Sequence, residues 1–154
     1  MTVEGMYHEQ SIEIAASAEE VYDALSDLTR MGEWSPENRG GRWLDGGSGA
    51  VGDRFEGDNQ IGERRWSVVA QVTRADRGRE FQFVTGDPDA PYVRWSYRLT
   101  GSNPTVLTEV WDVERLPPTL VDLDAERLAA RAAAVRDGMA TTLSGICATI
   151  EAGD

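Results

Sequence analysis

The chain has no lysine. All 15 of its basic residues are arginine, set against 27 aspartates and glutamates, and its 154 residues include one histidine, His8, and one cysteine, Cys147. Each shortage excludes some chemistry. Without lysine there is neither a Schiff-base amine nor the phosphate-binding lysine of a Walker loop. One cysteine and one histidine cannot supply a Cys/His metal site within one chain, and a lone cysteine cannot close an intrachain disulfide. A Ser-His-Asp system would have to recruit His8, which this reading leaves in a frayed N-terminal segment. The net charge of −12 and pI near 4.5 run against nucleic-acid binding, which needs a basic face, and against an anionic membrane surface. No apolar run approaches the roughly 20 residues of a membrane span. Met1 to Gly5 lacks the basic and apolar regions of a signal peptide. What remains is the expectation of one cytoplasmic domain over residues 1–154, its core at about 9–150. It is expected to be a monomer or homodimer with no metal and no cofactor.

What the chain does have is pattern. Residues 9–16 alternate in polarity and read as a strand with Ile12 and Ile14 on one face. Ser17 with Glu20 three positions on reads as a capping box opening a helix over 18–28. Residues 29–34 form a second short helix, stopped at Ser35-Pro36 because the residue before proline avoids helical angles. From Arg42 to Glu114 the period is two throughout, with turn signals at 45–52, 75–78, 86–91 and 101–104. The faces of the last strand, 105–114, are equally apolar, so its orientation stays open. Leu116-Pro117-Pro118 ends the sheet, and a long helix over about 124–152 carries the stripe Leu128, Val135, Met139, Leu143, Ile146 and Ile150. The class is α+β: a curved six- to seven-stranded antiparallel sheet around one long C-terminal helix, with two short helices after the first strand. Sheet curvature and a helix surface do not match everywhere, which predicts a cavity between them.

Aromatic residues concentrate on the faces that turn toward that helix: Phe55, Trp66, Phe81, Phe83, Trp95 and Tyr97, with Trp34 at the second helix. Five tryptophans in so small a domain read as the lining of a ligand pocket, where aromatics combine with a few polar groups. Asn59 shares the Phe55 face and needs a partner there. Gly47 to Gly52 matches G-x-G-x-x-G, but a strand follows it instead of a helix, so it reads as a hairpin turn and not a nucleotide loop. Cys147 sits beside the apolar stripe and reads as a small buried hydrophobe.

The stretches 17–22, 27–36, 52–59, 65–67 and 94–98, in this element order, resemble the SRPBCC (START-like, helix-grip) superfamily. Within it they are most similar to the polyketide cyclase/dehydrase family. The resemblance implies a helix-grip fold, as in the birch-pollen allergens, and a deep hydrophobic pocket between sheet and last helix. Aromatase/cyclases of this type place tryptophans where Trp34, Trp66 and Trp95 stand, and are thought to use a pocket arginine and tyrosine. Arg64 and Arg65 are adjacent and point to opposite faces, so one of them is expected to project inward; Arg65 is the candidate, with Tyr97 as hydroxyl donor. Glu109 and Asp112 likewise face opposite sides of their strand. Glu109 is the candidate inward carboxylate, whose pKa burial would raise. The pocket expected around Arg65, Tyr97 and Glu109 is lined by Trp34, Phe55, Asn59, Trp66, Phe81, Phe83, Trp95, Met139 and Leu143. The partner is a hydrophobic small molecule, aromatic or polyketide-like, with cyclisation, aromatisation or dehydration as the reaction. A carrier or sensor of a hydrophobic ligand, and a co-chaperone-type interaction module, are the alternatives on the same scaffold.

Overall fold

The computed structural model describes residues 2–153. Seven antiparallel strands form one curled sheet: β1 (Tyr7–Ile14), β2 (Asn38–Trp43), β3 (Arg54–Ile61), β4 (Arg64–Asp76), β5 (Glu80–Asp87), β6 (Ala90–Gly101) and β7 (Thr105–Val113). Their order is β1-β7-β6-β5-β4-β3-β2. Strands β2 to β7 therefore form a meander joined by short turns, and β1 closes on β7. The helix α1 (Ala18–Leu25) and a 3-10 helix (Leu28–Glu33) connect β1 to β2, and the 27-residue helix α2 (Ala125–Glu151) follows the sheet. This is the helix-grip architecture expected from the sequence.

Local chemistry accounts for the element ends. The Ser17 hydroxyl accepts the Glu20 backbone N–H at 3.2 Å, capping α1. The Ser17 hydroxyl donates in turn to Glu20 Oε1 at 3.2 Å, a side-chain bond in place of the one to the Ser17 backbone N–H that the expected capping box would make. Asp124 caps α2 by accepting from the Arg127 N–H at 2.9 Å. Three boundaries differ from the sequence reading. Helix α1 ends at Leu25 and not at residue 28, because Leu28 opens the 3-10 helix, capped by Asp27. β2 begins four residues before Arg42. β1 begins at Tyr7, so His8 is a paired strand residue opposite Trp111 and not part of a frayed end.

Register settles the orientation of β7. Leu107, Glu109, Trp111 and Val113 stand opposite Leu99, Tyr97, Trp95 and Val93 on one side, and Leu107, Glu109 and Trp111 opposite Ile12, Gln10 and His8 on the other. All of these face inward, toward α2. Two apolar clusters form there. One gathers Ile14, Val21, Leu25, Phe81, Tyr97, Leu99 and Leu107 with Leu143, Ile146 and Ile150 of α2. The other gathers Met6, Trp111 and Val113 with Ala132, Val135 and Met139. Each large side chain so buried stabilises the fold by roughly 1.5–3 kcal/mol. Glu109 lies on β7 between Leu107 of the first cluster and Trp111 of the second.

Candidate functional site

The seam between the clusters is polar. Tyr97 on β6 and Glu109 on β7 are register partners, 2% and 3% exposed, and the Tyr97 hydroxyl donates to Glu109 Oε2 at 2.7 Å. Glu109 Oε1 is fully buried and has no hydrogen-bond partner in the described structure. Buried polar atoms are nearly always satisfied, and leaving one unmet costs about 1–3 kcal/mol. Burial pushes the Glu109 carboxyl up to about 7, against the Tyr97 hydrogen bond, which pulls it down. Burial, and then the neighbouring Glu109, push the Tyr97 phenol well above its ordinary value. The result is a buried carboxyl that changes charge near neutrality, which is the range useful to an acid or base.

Around this pair the inner face is aromatic. Phe83 stacks on Tyr97 with centroids 6.4 Å apart, and Phe81 packs against Phe83 at 6.1 Å and edge-on against Tyr22 at 6.0 Å. Phe83, Trp66, Trp95 and Val68 face inward yet stay half-buried. These four side chains leave part of the inner face accessible.

The remaining expected residues separate into groups. Phe55, Phe81, Met139 and Leu143 are buried core, with Phe55 edge-on to Trp43 at 5.2 Å. Trp34 fills space instead of lining it. It is 5% exposed, its Nε1–H donates to Thr149 Oγ1 at 3.0 Å, and it lies against Gly145 of α2. Asn59 is half-buried and accepts from Asn38 Nδ2 at 3.5 Å, a weak contact near the sheet edge. Arg65 does not project inward. It pairs with Gln60 on the outward face and is exposed, because Trp66, its neighbour in a period of two, takes the inner side. Arg64 shares the Trp66 side, its guanidinium 5.1 Å from that ring's centroid, and is exposed at the hairpin end. Asp112 faces outward, where its Oδ1 accepts from the Thr2 hydroxyl at 2.8 Å.

Sequence reasoning missed His8 and Gln10. They are inward members of β1, facing Trp111 and Glu109, and His8 Nε2 lies 3.3 Å from Gln10 Oε1. Strict alternation upstream of Ile12 was the available signal. The glycine-rich turn is confirmed as a turn: Asp53 Oδ2 accepts the N–H groups of Ser48, Gly49 and Ala50 at 2.9, 3.1 and 2.9 Å, taking the donors a phosphate would use. Burial, then Glu151, push the Cys147 thiol up, away from reactivity.

Two open clefts of about 520 Å³ flank the hairpin between β3 and β4. The first runs between Pro36, Glu37 and Arg39, the turn Gln60–Gly62, and Ala134, Asp137, Gly138 and Thr141 of α2. The second includes Arg39, Asn59, Arg65 and Trp66. Neither is lined by Tyr97 or Glu109. The buried pair defines the candidate site, since an orphaned carboxyl oxygen demands a partner and an open surface cleft does not. Among the described residues there is no cluster of His, Cys, Asp and Glu arranged to hold a metal, and no helix is long and apolar enough to cross a membrane.

Comparison with known proteins follows the same lines. The family model described as polyketide cyclase / dehydrase and lipid transport matches residues 8–151. A Polyketide_cyc-like protein from Corynebacterium glutamicum, solved in solution, is 33% identical, with 94% of this chain and 91% of that one covered at a TM-score of 0.67. A START superfamily protein from Mycobacterium smegmatis shares the fold at 19% identity, 94% and 99% coverage and a TM-score of 0.69. So does the Zhui aromatase/cyclase of a Streptomyces species, at 16% identity, 94% and 93% coverage and a TM-score of 0.68. No curated protein matches the chain.

Proposed function

The chain belongs to the polyketide cyclase / dehydrase and lipid transport family, and from that premise we propose that it binds a hydrophobic, polyketide-like molecule between the sheet and α2 and promotes its cyclisation or dehydration through Glu109 and Tyr97. The observation that carries this reading is the orphaned Oε1 of a buried carboxyl that titrates near 7. As a carboxylate, Glu109 takes a proton from the carbon between two ketones. The resulting enolate attacks a further carbonyl of the same chain, placed to close a six-membered ring, and the protonated carboxyl returns the proton to the new alkoxide; a second cycle that takes another α-proton and gives it to the departing hydroxyl releases water. Tyr97 holds Oε2, which keeps the ionised form within reach and points Oε1 at the substrate. Holding the reacting carbons together supplies up to about 7–11 kcal/mol of the barrier, so neither a covalent nucleophile nor a cofactor is needed.

The test uses a linear aryl tetraketone, 1-phenyloctane-1,3,5,7-tetraone, whose C2 lies between two ketones and closes a six-membered ring on C7. Native mass spectrometry reads its binding, and absorbance reads its cyclisation. The wild-type protein binds and cyclises it. Glu109→Gln binds it but cyclises it 10²- to 10⁴-fold more slowly, the usual contribution of one acid-base group, and Tyr97→Phe falls between the two. Binding with no acceleration by wild type makes the protein a carrier, a role the half-buried Trp66, Phe83 and Trp95 serve equally well. No binding removes both readings.

A further inference from the structure

Glu109 does not stand alone in its row. The inward residue directly opposite it on β1 is Gln10. Side chains so paired have Cβ atoms about 4.5–5.5 Å apart. Gln10 is oriented from its other side: His8, two residues earlier on the same face, places Nε2 at 3.3 Å from Gln10 Oε1. An amide oxygen only accepts, so with Gln10 Oε1 turned toward the ring this bond requires the Nε2–H tautomer of His8, and the Gln10 NH2 is the end left to serve a neighbour. None of the described hydrogen bonds engages Gln10 Nε2 or Glu109 Oε1. The row therefore offers one donor on β1 and one acceptor on β7, a single strand spacing apart on the same wall.

We propose that Gln10 and Glu109 form a donor–acceptor pair that selects ligands carrying a hydroxyl and a carbonyl substituent meta to each other on an aromatic ring, the hydroxyl donating to Glu109 Oε1 and the carbonyl accepting from the Gln10 amide. The proposal rests on the reading of this interior as the ligand site and specifies what that site recognises. Gln10 is a ligand-contacting residue in it, and His8 is a positioning residue that acts through Gln10. A ligand lacking the hydroxyl leaves the buried carboxyl oxygen unmet, and one lacking the carbonyl leaves the amide unmet, so each loss is felt in affinity. A purely apolar chain meets neither group.

Three bicyclic probes of nearly equal size test this without any variant. 7-Hydroxy-1-tetralone carries both groups, held by the rings where they cannot bond to each other. 7-Methoxy-1-tetralone lacks the donor, and 5,6,7,8-tetrahydro-2-naphthol lacks the carbonyl. Calorimetry or tryptophan quenching on the wild-type chain is expected to show the first binding about tenfold more tightly than either of the others. In Gln10→Met the advantage over the tetrahydronaphthol disappears while the advantage over the methoxy compound persists. His8→Phe reduces the same advantage, and His8→Gln, whose amide donates to the same oxygen, restores it. A merely structural role for His8 would weaken all three probes together. Equal binding of all three to wild type overturns the donor–acceptor pair while leaving a hydrophobic ligand site intact. Failure of all three to bind overturns the site reading along with it.

Discussion

Glu109 is harder to ionise in the folded protein, near 7, than in the unfolded chain, near 4.5, because folding strips its water. Between those two values the unfolded chain has released a proton that the folded chain still holds. Folding therefore becomes less favourable as pH rises through that window. Below about 4.5 both states are protonated and the penalty vanishes; above about 7 it is fully present, on the order of 3 kcal/mol for a shift of this size. Urea unfolding at pH 4.5 and pH 8 is expected to show the wild type losing stability on that order, and Glu109→Gln to flatten the profile. A wild-type profile that rises over this range would contradict the burial of an uncompensated carboxyl. Asp23, Asp53 and Asp58 work in the opposite sense, their pKa values lowered by Arg77, by backbone N–H groups and by Arg42 respectively. They titrate below the window and at the surface, so they do not mask it. At this scale the sequence was partly legible. Alternation identified Tyr97 as an inward hydroxyl. The charge on Glu109 was visible, but its burial depended on which face of β7 turned in.

The elements themselves were largely written in the chain, and the exceptions have physical causes. Five of the seven strands and both ends of α2 follow the period of two and the apolar stripe; β2 does not, because its pairing with β3 shifts register between Asn38 and Gly41. β7 resisted because its outward face is also covered. Val110 is 3% exposed there, beside Gln82 and Ser96. Gln82 donates to Ser96 Oγ at 2.9 Å and accepts from Arg94 Nη1 at 3.1 Å, while Arg94 Nε donates to Glu114 at 2.6 Å. A long arginine lying over the sheet buries a face that hydrophobicity alone expects to be wet. The small residues of α2 also divide in a way composition does not reveal. A Cβ added at Gly145 would lie 3.0 Å from Trp34 Cδ1 and 3.2 Å from its Cβ, whereas one at Gly138 would meet Pro36 Cγ at an ordinary 3.5 Å. Alanine is favoured over glycine in a helix interior by about 1 kcal/mol, and overpacking costs about 1–3 kcal/mol. Gly138→Ala is thus expected to raise the melting temperature by about 2–4 °C. Gly145→Ala is expected to lower it and to perturb the Trp34 fluorescence. Equal shifts in both variants would mean that Trp34 does not press on α2 at Gly145.

Across the whole molecule, the −12 net charge describes a shell in which most arginines are matched to carboxylates: Arg42 bridges Glu56 and Asp58, Arg77 holds Asp23, and Arg74 and Arg98 flank Glu80. Exposed pairs of this kind contribute little to stability, about 0–1 kcal/mol each. One pair differs by where it sits. Arg131 on α2 grips Glu37, in the segment after the 3-10 helix, by two bonds at 2.5 and 2.8 Å, with both side chains about three-quarters covered. It ties the helix to the segment bordering the first cleft, beside Pro36 and Arg39. On the proposed function, a molecule passing from that cleft to the inner aromatic wall parts α2 from this segment, and the ion pair opens in the transition state for passage. A pair that re-forms behind the ligand affects the barrier and not the end states. Arg131→Gln is therefore expected to raise association and dissociation rates for 7-hydroxy-1-tetralone together by about tenfold, equivalent to about 1.4 kcal/mol, with Kd changed less than about twofold. Stopped-flow tryptophan quenching separates the two rates. A change in Kd through dissociation alone would place Arg131 in the bound state, and unchanged rates would send the ligand in by another route.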